Sequence, residues 1–107
     1  MRRSDIIHLI ESEIDTIKSA ENKADFIISL LDKNTSSFNI GRAIYGSSED
    51  FFASLSATTD IIPYVVTGIE EYIKGTKMKY MPINTLSTSD AEEINETLEF
   101  IYKILEE

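Results

Sequence analysis

The chain contains no cysteine, and that one absence removes disulfides, thiolate nucleophiles and zinc–thiolate sites together. It has one histidine, His8, and no cysteine or close aspartate stands beside it to make it the base of a nucleophile. Glu11 and Asp15 share its helical neighbourhood, but acids at that spacing occur on most acidic helices and define no metal site. Two prolines and four glycines are too few for a low-complexity or disordered chain. No long apolar run is present. The longest, IIPYVV, falls well short of the roughly 18 residues needed to cross hydrocarbon, and the opening MRRSDIIHLIESEID breaks its apolar residues with Asp5, Glu11 and Glu13, so no secretory segment is expected. A cytoplasmic protein without a membrane partner is the expectation.

Basic residues are also scarce: 10 Lys and Arg stand against 19 Asp and Glu, a net charge of −9. Nucleic acid is therefore not an expected partner, because phosphate neutralisation needs a cationic surface. The acids are densest on the last segment, at Asp90, Glu92, Glu93, Glu96, Glu99, Glu106 and Glu107. A solvated helix face accounts for them, and Lys103 interrupts the row that a mimic of nucleic-acid phosphates would need.

What is present is an ordinary globular composition, 42% apolar and 27% charged over 107 residues, enough for one domain spanning residues 1–107 with one modest core. Its apolar periodicity is helical almost throughout. From Ser4, a fair N-cap, the positions Ile7, Ile10, Ile14, Ile17, Ala24, Ile28 and Leu31 keep a 3-4 spacing and predict one long helix, with a break near Ser19 to Asn22 as the alternative. A second helical pattern opens near Ser47 and runs through Phe52, Leu55, Ile62, Val66, Ile69 and Ile73. Pro63 forces a break or kink over residues 58–60, with Thr59 or Asp60 capping the helix beyond it. That part ends at Gly75, placed for a left-handed cap after Lys74. Residues 75–88 read as a long connection, an extended strap. Ser89 and Glu92 then form a capping box, and Ala91, Ile94, Leu98, Ile101 and Leu105 make an unbroken seam. The expected fold is all-α: an antiparallel bundle of three long helices with a strap before the last.

One stretch invites a nucleotide. GRAIYGSS, residues 41–48, is one substitution from G-x-x-x-x-G-K-[ST], yet it has Ser47 in place of the lysine and no buried strand before it, so it fails as a triphosphatase loop. Gly46, Ser47 and Ser48, with Arg42 nearby, still offer backbone N–H groups, two hydroxyls and a cation to one anionic group. The same residues equally serve as a turn and a helix cap.

The segment IIPYVVTGIEEYI is apolar on more than one face and needs cover on several sides, from the bundle, from a second copy in a homodimer, or from a target. The strap residues Lys77, Met78, Lys79, Tyr80 and Met81 are too apolar for an idle loop, and they carry the local basic concentration of the chain. Such a mixture suits a contact surface. No nucleophile–base set, metal cluster or cofactor motif stands out, so no enzyme is expected. The composition points to a small acidic interaction protein, inhibitor- or immunity-like, including one carried by a phage, that binds a protein partner through its central helix and strap. The alternative is a non-enzymatic binder that sequesters a small anionic ligand such as a nucleotide.

Overall fold

The computed structural model describes residues 2–34, 61–82 and 86–107. The segment GRAIYGSS, with Arg42, Gly46, Ser47 and Ser48, the start of the second helical pattern and the break expected over residues 58–60 all lie outside them. Within the described residues the chain is helical, in five helices: α1 (Arg3–Ser12), α2 (Ile14–Ser19), α3 (Lys23–Lys33), α4 (Ile62–Ile73) and α5 (Thr88–Leu105).

The single long helix expected from Ser4 is replaced by three. α1 begins at Arg3, ahead of Ser4, because the Asp5 carboxylate accepts the free backbone N–H of Arg2 at 3.2 Å and so satisfies one orphan donor of the first turn. Glu13 interrupts the helix with φ −112° and ψ 13°. The full break falls at Ala20, which is extended (φ −69°, ψ 140°), and Asn22 then caps α3 by accepting the Asp25 N–H at 3.2 Å. The alternative of a break near Ser19 to Asn22 is thus the one the chain adopts. An Asn with a donor three residues on favours a new N-terminus over helix continuation. Each break resets the helical phase. The buried stripe is accordingly Ile6, Ile10, Ile17, Ala24, Ile27 and Leu31, while the expected Ile7, Ile14 and Ile28 are only partly covered.

α4 carries Pro63 within its first turn, where the missing N–H costs nothing. Its N-cap position is Ile61; Thr59 and Asp60, the expected caps, lie outside the described residues. It closes as expected at Gly75, whose φ is +95°. Gly75 N–H donates to Tyr72 C=O and Thr76 N–H to Glu71 C=O, both at 2.9 Å, the pair of bonds that defines a Schellman cap. At α5 the cap lies two residues earlier than expected. Ser87, not Ser89, accepts the Asp90 N–H at 3.1 Å. The seam Ala91, Ile94, Leu98 and Ile101 is buried, widened by Thr97, Tyr102 and Ile104, and Leu105 is half-covered.

The helices do not alternate in direction as an antiparallel bundle would. Gly68 meets Leu98 and Tyr72 meets Tyr102, so residue numbers rise together along α4 and α5 and the two run parallel. Arg2 pairs with Glu93, Arg3 with Glu96 and Lys18 with Glu107, which sets α1 and α2 parallel to α5 as well. α3 packs on α4, with its first residues beside Tyr72 and Leu105, and so runs the opposite way. A fourteen-residue connection between α4 and α5 is what permits a parallel pair, since it must return the chain to the start of its neighbour.

Candidate functional site

The connection returns along the α4–α5 groove, and its sequence alternation explains how it is held. Tyr80 faces inward. Its backbone N–H donates to Asn95 Oδ1 at 2.8 Å, and its C=O accepts from Asn95 Nδ2 at 2.9 Å, so one side-chain amide satisfies both polar groups of one residue. The Tyr80 hydroxyl donates to the Tyr64 carbonyl at 3.0 Å. The two rings meet edge to face, 5.7 Å between centroids, an arrangement that aromatic quadrupoles favour. Burial pushes the Tyr80 phenol well above its ordinary value, because the ionised form would lose its hydration.

Three residues earlier, Lys77 pairs with Glu106 and lies 5.8 Å from the centroid of the Tyr102 ring. The hydrogen bond to Glu106 raises the lysine above its ordinary value. Tyr102 stacks on Tyr72, with centroids 5.1 Å apart and planes inclined by 19°, and turns its hydroxyl to the Gly68 carbonyl at 3.2 Å. Burial raises this phenol too. Lys79 and Met81 are both exposed. Met81 is 64% exposed.

Between the connection and α5 lies a cleft of about 350 Å³ lined by Lys77, Met78, Lys79, Asn95, Leu98, Glu99, Tyr102, Lys103 and Glu106. Three of the five residues expected to form a contact surface, Lys77, Met78 and Lys79, are therefore brought together there with an α5 face. Tyr80 lies beneath as the anchor and Met81 stands clear of it. The sequence pattern marks Glu99 and Lys103 only as part of a solvated helix face, and it leaves Asn95 and Tyr102 unassigned. Asn95 alone carries a visible signal, as a lone amide within the acidic and apolar pattern of α5.

Two further features of the sequence have a defined setting. His8 is exposed, with no metal-binding group of acids or histidines among the described residues. The central segment that needed cover on several sides has it inside the chain: Ile61, Ile62, Tyr64, Val65, Val66 and Ile69 are at most 2% exposed. Only Ile73, at the end of α4, stays open, at 49%. The acid row of α5 is largely occupied as well, since Asp90 and Glu93 face Arg2, Glu96 faces Arg3, Glu106 faces Lys77 and Glu107 faces Lys18. Among the described residues no helix is long and apolar enough to cross a membrane. Comparison with known protein families, with curated proteins and with solved structures returns no match to this chain.

Proposed function

We propose that this chain is a small acidic interaction protein, inhibitor- or immunity-like and without catalytic activity, whose partner is another protein. In this reading the connection before α5 is a strap that presents Met81 and Lys79. The observation that carries it is the contrast at two adjacent residues: Tyr80 is clamped by Asn95 and Tyr64, while Met81 beside it stands 64% exposed. A large apolar side chain held outward on an anchored backbone has little ordering entropy left to lose on association, and methionine adapts its shape to a partner. The central helix drops out of the contact surface because its apolar residues are already buried in the chain. With it goes the argument for a second copy as the partner. Phosphate mimicry also loses its footing, because it needs carboxylates free to face a basic groove and most of the α5 row is engaged within the chain.

Affinity purification from the cells that produce the protein tests the proposal, comparing wild type with Met81→Asp. The variant should melt like wild type, within about 0.5 kcal/mol, since the side chain lies in water, and should lose the co-purifying protein. Retention of the same partner at the same yield removes Met81 from the surface and overturns the proposal.

A further inference from the structure

The cleft between the strap and α5 has a chemistry of its own, apart from the outward face at Met81. Its volume of about 350 Å³ lies at the lower end of the range for small-molecule sites. Its floor is apolar: Leu98 and Tyr102 are 1% and 8% exposed, and Met78 is half-buried beside them. The neutral polar groups that line it are already engaged. Asn95 gives both ends of its amide to the Tyr80 backbone, and Tyr102 gives its hydroxyl to Gly68. A ligand must therefore find its polar contacts among the charges.

Those charges select a sign and a magnitude. Lys77, Lys79 and Lys103 face Glu99 and Glu106, which leaves the cleft one net positive charge in a chain of −9. Lys77 and Glu106 satisfy each other. Among the described residues no ion pair engages Lys79, Lys103 or Glu99. Two ammonium groups are thus available to an anion, while the Glu99 carboxylate opposes a second negative charge on it.

We infer that this cleft binds a small amphiphilic monoanion, a carboxylate carried on one or two rings, with the rings against Leu98, Met78 and Tyr102 and the carboxylate between Lys79 and Lys103. Polyanions such as nucleoside triphosphates fit it poorly, because each added charge approaches Glu99 and Glu106. The inference shares Lys79 with the protein-partner reading but not Met81, which lines no part of the cleft.

The experiment titrates 1-naphthoate, the neutral 1-naphthol and the dianionic 1-naphthyl phosphate into isotopically labelled protein and follows amide shifts. Naphthoate should produce saturable shifts at Lys79, Tyr102 and Lys103. The other two probes should bind at least tenfold more weakly, as should naphthoate to the double variant Lys79→Gln, Lys103→Gln, whose dispersed spectrum shows that it is folded. Met81→Asp should bind naphthoate like wild type. Absence of saturation, shifts centred away from the cleft, equal binding of the alcohol or the phosphate, or unchanged affinity in the double lysine variant each overturns the inference.

Discussion

α4 buries seven of its twelve residues, whereas α1 buries two of ten. The contrast extends to what surrounds them. α1 and α2 lay one or two isoleucines against the core and are tied to α5 at the rim by Arg2, Arg3 and Lys18, pairs of half-exposed groups that water and salt screen. α4 and α5 approach closely enough that a methyl group on Gly68 would lie 2.5 Å from Leu98 Cδ1 and 2.6 Å from Cδ2. They are also joined through the connection between them, where Tyr80 bonds to Asn95 of α5 and to Tyr64 of α4. Among the described residues, α4, α5 and the connection between them are therefore packed more closely than α1 and α2, which depend on a few apolar contacts with an electrostatic rim.

The sharpest way to break the contrast is a charge in the close-packed half. Ile69 is fully buried, so Ile69→Asp should unfold the chain, an unpaired buried carboxylate costing several kcal/mol; loss of the cooperative transition by circular dichroism is the expected result. Gly68→Ala comes next. Alanine would ordinarily gain about 1 kcal/mol in a helix interior, but here Leu98 must give way in a filled core, and overpacking costs about 1–3 kcal/mol. A net loss in urea unfolding is expected, and combination with Leu98→Ala should cost less than the two single changes added together. If Gly68→Ala stabilises the chain, α4 and α5 are not in the close contact described.

Asn95→Ala tests how the connection is held. It leaves both polar groups of the Tyr80 backbone without their partner, at a cost of about 1–3 kcal/mol, and should speed hydrogen exchange at the Tyr80 amide while leaving α1 and α3 protected. The phenols give a matching pH dependence. Tyr80 and Tyr102 are both raised by burial, whereas in the unfolded chain they ionise near pH 10. Below that pH both states keep the proton and stability is unaffected. As the pH rises past about 10 the unfolded chain releases protons that the folded chain retains, so stability falls. Urea midpoints should drop in that range, and Tyr80→Phe should flatten the drop. The smallest effect belongs to the rim. Arg2→Ala, which removes the 2.6 Å contact to Glu93, should cost about 0.2–1 kcal/mol, less still in high salt.

Where periodicity and local chemistry agreed, the sequence was readable. The seam of α5 and the glycine cap of α4 follow from side-chain spacing and from the one residue type that tolerates positive φ. Where they conflicted, periodicity misled. The 3-4 spacing from Ile7 to Leu31 outlined one helix, while Asn22 with Asp25 three residues on marked a new N-terminus inside it. At α5 two serines competed for one cap, and Ser87 takes it by accepting the Asp90 N–H on its hydroxyl and the Ala91 N–H on its carbonyl. The directions of the helices were not legible, because amphipathicity states which face is covered and not by what. The cleft shows the same boundary. Its strap side lay in one contiguous stretch, Lys77 to Lys79, but its α5 side is contributed by residues whose spacing along the helix, Asn95, Glu99, Lys103 and Glu106, resembles any solvated face until the strap is laid against it.

The parallel course of α4 and α5 carries a consequence for the speed of folding. Their contacting residues, Gly68 with Leu98 and Tyr72 with Tyr102, stand thirty positions apart in each case, whereas a helical hairpin brings its first contacts together across a turn of a few residues. Each doubling of a closed loop adds about 0.6 kcal/mol of entropic cost, so the first α4–α5 contact begins about 2 kcal/mol behind that of a hairpin, and non-local contacts of this kind slow the search for the native state. Asn95 and Tyr80 shorten that search once made. They join the chain fifteen residues apart, halving the loop that Leu98 must still close against Gly68.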